Sequence, residues 1–118
     1  MSTFAVIREA GPGWLDGGIY EQPAVDEHAA FMNALADHGF VLFAGPLAGT
    51  EHGRARVLLI VNANDEDEIH RQLAHDPWVP TEQLVTVTIE PWQILVGAER
   101  LPSAQPVPPV RTDIETTP

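Results

Sequence analysis

The sequence contains no cysteine and no lysine, and only two serines among its 118 residues. Without cysteine there is no disulfide, no thiolate metal site and no cysteine nucleophile. Without lysine there is no Schiff-base chemistry and no phosphate-binding P-loop lysine. Ser2 and Ser103 lie in terminal segments, which argues against Ser-His-Asp catalysis. Histidine, carboxylates and arginine remain as the side chains able to carry chemistry.

Positive charge is also scarce. Six arginines face 17 acidic residues, which gives a formal net charge of −11 at pH 7. The arginines are scattered without forming a basic stripe, so electrostatic repulsion disfavours nucleic acid and other polyanions as partners. No apolar run is long enough to span a bilayer, and the first residues lack the basic region and apolar stretch of a signal peptide. We therefore expect a cytoplasmic protein without a membrane or nucleic-acid partner.

The pattern of apolar residues, turns and breakers predicts a single α+β domain. Strands are expected at 4–9, 40–47, 54–62 and 83–96, and helices at 24–38 and 65–75, the second with Asn64 as its N-cap. Glycines and prolines interrupt residues 10–23, so this loop is expected to hold no regular structure. The resulting order, β-α-β-β-α-β, is the ferredoxin-like arrangement.

The chain after this unit is rich in proline. We place the domain at 1–97 and an extended tail at 98–118. Two interpretations of the tail stay open: it is mobile, or it packs on a neighbouring molecule through Val107, Val110 and Ile114.

Two of the predicted strands are apolar on both faces. A lone ferredoxin-like sheet has one face covered by helices and one face in water, so its strands should alternate between apolar and polar residues. The runs at 40–43 and 57–61 do not alternate. The uncovered face is therefore expected to pack against a second copy, most simply as a two-fold homodimer.

One histidine and one aspartate are the candidate functional side chains. His28 interrupts the apolar stripe of the first helix, and Asp76 follows the second helix in the stretch "LAHDPWVP". Taken locally, Asp76 before a proline is typical of a simple helix stop. The other histidines are interpreted as surface residues without the spacing of a metal site: His38, His52, His70 and His75.

Three stretches, "EHAAFMNALADHGFVLFAGPL", "HDPWV" and "VTIEPW", resemble the YciI-like (YCII-related) family over about residues 4–97. The pattern comprises a histidine early in the first helix, a glycine-to-proline segment through the second strand, an Asp-Pro-aromatic turn and a Pro-aromatic pair. In this chain these elements are His28, residues 39–46, Asp76-Pro77-Trp78 and Pro91-Trp92.

The resemblance implies a dimeric α+β barrel in which two ferredoxin-like sheets face each other. It also implies a His-Asp pair, here His28 and Asp76, in a pocket for a small molecule of unknown identity. Some relatives are lyases that remove chloride from hydroxylated aromatics. In such a pair the aspartate orients one imidazole nitrogen and leaves the other as a general base, with no metal or organic cofactor. We expect Gly45, Pro46, Trp78 and Trp92 to line this pocket. Packing in the core or at the dimer interface is the alternative for the two tryptophans.

The resulting hypothesis is a small-molecule lyase or isomerase with a catalytic His28–Asp76 pair. The competing hypothesis is a non-catalytic ligand-binding or accessory dimer, in which the same pair is structural. A third, a haem-linked or oxygen-using relative, rests on analogy of fold alone.

The chain departs from the family pattern at Val25, where many members have an arginine three residues before the helix histidine. An arginine there would suit an anionic substrate. Arg8, Arg54 or Arg56 could replace it, although a surface salt bridge is the favoured role for each.

Overall fold

A computed structural model of the chain describes residues 1–48 and 55–101. The elements in these ranges are β1 (Ser2–Ala10), α1 (Val25–Asp37), β2 (Val41–Pro46), β3 (Arg56–Ala63), α2 (Glu66–Leu73) and β4 (Leu84–Pro91), with short 3-10 helices at Ile19–Glu21 and Ala98–Arg100. The predicted ferredoxin-like α+β class is confirmed. No helix in the described ranges is long and apolar enough to cross a membrane.

The four strands form one antiparallel sheet in the order β2-β3-β1-β4. The central strand β1 pairs with β3 in continuous register, so that Val6 lies opposite Leu59. Its register with β4 shifts between Ile7 and Arg8. This order gives β1 a hydrogen-bonded neighbour on each side, so its side chains are flanked by those of β3 and β4.

The hydrophobic core lies on one face of the sheet, beneath the two helices. Period-two alternation directs Phe4 and Val6 of β1 to this face. They belong to one cluster with buried residues of β3 and the helices, including Leu35, Leu59, Val61, Ile69 and Leu73. Fully burying a side chain of this size stabilises the fold by roughly 1.5 to 3 kcal/mol. The opposite face of the sheet is covered by no helix of the described chain.

The structure differs from the predicted elements at three places. The loop predicted to lack regular structure contains the 3-10 turn at Ile19–Glu21. The N-cap of α2 is Asp65 rather than Asn64, because the Asp65 side chain accepts a hydrogen bond from the backbone N–H of Glu68. The last strand ends at Pro91 rather than at 96, since proline has no N–H to continue a ladder.

Some predictions fall outside the described residues. These are the placement of His52 and Arg54 and the packing of Val107, Val110 and Ile114. The tail assigned to 98–118 begins with the 3-10 turn Ala98–Arg100. The domain boundary near 97 stays a prediction.

The loop between β1 and α1 is fixed by a close approach to the segment before β4. The backbone N–H groups of Gly11 and Gly13 donate to the carbonyls of Gln83 and Glu82, at 3.0 and 2.9 Å. A Cβ atom at Gly13 would lie 1.8 Å from the Thr81 carbonyl oxygen, so no larger residue fits there. The glycines of the loop therefore bring the start of α1 close to the turn after α2.

Candidate functional site

The structure places the His28 and Asp76 side chains in contact. His28 Nδ1 lies 2.9 Å from Asp76 Oδ1 and 3.0 Å from Oδ2. Because an ionised carboxylate can only accept hydrogen bonds, Nδ1 carries the proton and donates it to Asp76. The neutral imidazole is thereby fixed in one tautomer, with Nε2 as the acceptor nitrogen.

Asp76 ends α2 and orients His28 at the same time. Its backbone N–H donates to the carbonyl of Leu73 at 3.0 Å, which closes the turn after the helix. Its Oδ1 also accepts the backbone N–H of Trp78 at 2.9 Å, an Asx-type bond that points the carboxylate inward. The carboxylate is fully buried. Asp76 thus has both roles: its backbone ends the helix and its carboxylate contacts His28.

Arg8 is a third member of the site, and its predicted surface role is wrong. It lies on the core-facing side of β1, is 1% exposed, and donates from Nη1 to Asp76 Oδ2 at 2.8 Å. The error arose because arginine is seldom buried without a partner, and the partner lies 68 residues away in the sequence. The alternation Phe4-x-Val6-x-Arg8 was the signal that could have placed it inside. Arg56, by contrast, pairs at the surface with Glu9 at 3.3 Å.

The environment of Asp76 lowers its pKa from the ordinary 3.8. Burial raises the pKa, because it disfavours the charged form. Hydrogen bonds from His28, from the Trp78 backbone and from Arg8, together with the positive charge of Arg8, outweigh that effect. Asp76 is therefore an anion across the physiological pH range.

Trp78 forms the floor beneath the imidazole. Its ring stacks on that of His28 with a centroid separation of 3.9 Å and an interplanar angle of 9°. The indole Nε1–H donates to the carbonyl of Pro23 at 2.6 Å, and the side chain is fully buried. Trp78 thus restricts the imidazole to one plane and anchors Pro23, two residues before α1.

Contacts of Pro23 and Ala24 fix the first turn of α1, which carries His28. Gln83 Nε2 also donates to the Pro23 carbonyl, at 3.2 Å. Ala24, the N-cap, has the left-handed backbone conformation (φ 62°), which is uncommon for a residue with a Cβ, and its carbonyl accepts the His28 N–H at 2.9 Å. The contacts of Pro23 hold this conformation and fix the direction in which α1 presents His28.

His28 lines a cavity of about 360 Å³ between α1 and β2. Its other walls include Tyr20, Ala29, Met32, Ala44, Gly45 and Pro46. The turn predicted to form the pocket, Gly45-Pro46, is therefore beside His28. The imidazole is 14% exposed. Since Nδ1 is occupied by Asp76, Nε2 is the nitrogen available to a molecule in this cavity, and it has no hydrogen-bond partner among the described residues.

Trp92 is not brought to this cavity. It follows β4 on the side of the sheet opposite the helices and lines a separate cavity of about 250 Å³ with Ala5, Leu58 and Ile60. Sequence spacing could not decide between the two faces, because the register of β4 shifts beside β1. The structure therefore differs from the predicted pocket at this residue.

The remaining candidates lie at the surface. His38, His70 and His75 are exposed. Within residues 1–48 and 55–101, no group of three or more His, Asp and Glu side chains is arranged to hold a metal ion.

The lowered pKa of Asp76 predicts how stability depends on pH. A carboxyl with a folded-state pKa below its unfolded value stabilises the fold above that unfolded value, here about 3.8. This contribution is lost as the pH falls below 3.8 through the folded-state pKa. We expect the difference in melting temperature between the unmodified protein and Asp76→Asn to be largest above pH 5 and to shrink towards pH 2.5. A constant difference over this range, measured by circular dichroism, would contradict the assignment.

No protein-family model and no curated protein matches the sequence. Among solved structures, the chain is similar to the 5-chloro-2-hydroxyhydroquinone dehydrochlorinase TftG from Burkholderia phenoliruptrix AC1100, solved in complex with 2,5-dihydroxybenzoquinone. The match has a TM-score of 0.54 at 24% sequence identity and covers 77% of this chain and 93% of that one. The two proteins therefore share the ferredoxin-like α+β fold.

Proposed function

We propose that this protein is a divergent YciI-like protein that binds a small organic molecule beside His28 and removes a proton from it, in a reaction of the lyase or isomerase type. The observation that carries the proposal is the imidazole of His28, held at Nδ1 by a buried carboxylate and bordering a cavity. A base positioned by a second group is the arrangement that general base catalysis requires.

The first step is common to a lyase and an isomerase. Nε2 of His28 accepts a proton from a C–H or O–H group of the ligand, and the released electron pair stays on the ligand. In an elimination that pair expels a leaving group such as chloride, whereas in an isomerisation the proton returns at another atom. Asp76 stabilises the imidazolium formed in the first step through its bond to Nδ1. Neither outcome requires an oxidant.

The structural neighbour supports this class of reaction. By its name it removes hydrogen chloride from a hydroxylated aromatic ring, and it was solved with a dihydroxybenzoquinone. Some relatives in the YciI-like family that the sequence resembles are likewise lyases that remove chloride from hydroxylated aromatics. The cavity in this chain has apolar walls at Ala29, Met32 and Pro46, which suit a planar ring, and polar groups at His28 and Tyr20.

Ligand binding tests the proposal with a matched pair of variants. Ala29 and the neighbouring Ala30 are both exposed, but only Ala29 lines the cavity. With 2,5-dihydroxybenzoquinone at about 100 times its dissociation constant, the unmodified protein should gain about 2.7 kcal/mol in its free energy of unfolding. Ala29→Trp should abolish this gain because the indole fills the cavity, and Ala30→Trp should keep it.

Differential scanning fluorimetry and isothermal titration calorimetry measure both effects. A related set of hydroxylated quinones and phenols extends the search for a ligand. If the unmodified protein binds none of these compounds, or if Ala29→Trp binds as well as Ala30→Trp, the cavity beside His28 is not the binding site.

The proposal includes a homodimer formed through the uncovered face of the sheet. The pairs between β1 and β3 on that face are apolar: Ala5 lies opposite Ile60 and Ile7 opposite Leu58. Phe43 of β2, which lies opposite Ile60 of β3, is 54% exposed, and Trp92 is 46% exposed. Burying apolar surface stabilises association by about 25 cal/mol per Å² before entropic costs, and an ordinary interface buries about 800 Å² on each partner.

Replacing Leu58 by aspartate should therefore separate the dimer. The variant places a charge in the middle of the apolar face, where a second copy would desolvate it. We expect light scattering at micromolar concentration to give a dimer for the unmodified protein and a monomer for Leu58→Asp. Ala34→Asp, on an exposed position of α1, is the control and should remain dimeric. A monomeric mass for the unmodified protein would refute the dimer.

A further inference from the structure

Arg8 is a buried cation that the proposed proton transfer does not use directly. It is 1% exposed, and its Nε and Nη2 atoms have no hydrogen-bond partner among the described residues. Removing a guanidinium from water is costly unless its charge is compensated, and the preceding core-facing residues of β1, Phe4 and Val6, are apolar. Packing alone would favour another apolar residue at this position. The role of Arg8 therefore lies in its charge, which forms an ion pair with Asp76.

The carboxylate of Asp76 lies between two partners. Oδ2 is 2.8 Å from Nη1 of Arg8 and 3.0 Å from Nδ1 of His28. A lone carboxylate at this distance would favour the protonated imidazolium, because opposite charges attract strongly where water is excluded. The positive charge of Arg8 offsets much of that attraction, while the hydrogen bond that orients Nδ1 remains.

The protonation state decides what His28 can do. In the imidazolium both ring nitrogens carry protons, so Nε2 can donate but cannot accept. In the neutral ring with a proton on Nδ1, Nε2 has a free electron pair. Only the neutral form can begin the proton removal described above.

We propose that Arg8 is a positioning residue that acts through Asp76 to keep His28 neutral, so that Nε2 can accept a proton from a molecule bound in the cavity. That the neutral imidazole serves catalysis rests on the proposed function. That Arg8 keeps the imidazole neutral does not depend on it. The titratable or charged groups around His28 in the described chain are Asp76 after α2, Arg8 of β1 and Tyr20 of the 3-10 turn. Asp26 and Glu27, on the same helix, are exposed, and the β2 wall has no titratable group.

Nitrogen-15 NMR of the histidine side chains tests the proposal without any substrate. In the unmodified protein at pH 7, His28 should show a protonated Nδ1 and an unprotonated Nε2. In Arg8→Met, which keeps an unbranched side chain but removes the charge, the pH midpoint of the coupled His28–Asp76 pair should rise. Arg8→Lys keeps the charge and should hold the midpoint near that of the unmodified protein. The exposed His75 is the internal control, and its signal should not move.

Three results would overturn the proposal. They are an imidazolium at His28 in the unmodified protein at pH 7, an unchanged midpoint in folded Arg8→Met, and equal shifts in the methionine and lysine variants. The first needs no variant, so the proposal stays testable even if Arg8→Met does not fold. A shifted midpoint in a protein that binds no ligand would leave this inference standing and count against the proposed function. Ligand binding together with an unchanged midpoint would support the proposed function and count against this inference.

Discussion

Asp76→Ala is expected to destabilise the protein by about 3 to 5 kcal/mol, the range for removing one partner of a buried ion pair. The change leaves the guanidinium of Arg8, which is 1% exposed and has two nitrogens without a partner among the described residues, without its compensating charge. It also removes the acceptor for His28 Nδ1 and for the Trp78 backbone N–H. A domain of this size has a total stability of about 5 to 15 kcal/mol, so the loss is a large part of it. Urea denaturation measures the difference.

Two further variants show whether the buried charge is the cause. Asp65 caps the other end of α2 and is exposed, and Asp65→Ala should cost only about 1 kcal/mol. Combining Asp76→Ala with Arg8→Met removes both charges, so the double variant should be more stable than Asp76→Ala alone. If Asp76→Ala costs no more than Asp65→Ala, the ion pair is not a main support of the fold.

Replacing His28 is expected to abolish proton transfer while leaving the fold largely intact. Asparagine carries an amide N–H that can take the place of the Nδ1–H toward Asp76, but it has no basic nitrogen. Loss of a general base lowers a rate by about 10² to 10⁴-fold. Asp76 keeps its bonds to Arg8 and to the Trp78 backbone, so its carboxylate is not stranded. Most of the stability cost of His28→Asn should therefore come from the lost stacking on Trp78.

Chloride release from 5-chloro-2-hydroxyhydroquinone, the substrate named for the structural neighbour, is the first activity to assay. The expected result is release by the unmodified protein, loss of release in His28→Asn, and retained binding of 2,5-dihydroxybenzoquinone by the variant. Release at an unchanged rate from His28→Asn would remove the histidine from the mechanism. A protein that binds the quinone but turns over none of the tested ring compounds corresponds to the non-catalytic alternative.

The contact between His28 and Asp76 was predicted from the resemblance to the YciI-like family. The local sequence alone indicated a histidine on an apolar helix stripe and an aspartate that ends a helix, and it did not pair them. The element order was predicted without the resemblance, since strands and helices have different hydrophobic periods. That signal is a property of short segments and needs no knowledge of the tertiary structure.

Arg8 and Trp92 show where such reasoning fails. The buried position of Arg8 is stabilised by a carboxylate far away in the sequence, and average burial preferences point the other way. The face occupied by Trp92 depends on a register shift between β1 and β4, and a shift of one residue moves a side chain to the other face. The alternation of β1 places Arg8 on the face of Phe4 and Val6, but the carboxylate that makes its burial possible lies in a distant turn, and the face of Trp92 is set by strand pairing.

The site joins three distant parts of the chain, and this has a consequence for folding. Asp76 is separated from His28 by 48 residues and from Arg8 by 68. Contacts of such high sequence separation close large loops and lose much chain entropy before they form. Arg8 and His28 come from the consecutive elements β1 and α1, but the carboxylate that joins them comes from the turn after α2, so a chain in which that turn has not docked has no complete site. The ability to bind a ligand should thus appear only when β1, α1 and the turn after α2 have all assembled, and an opening of any one of them should remove it.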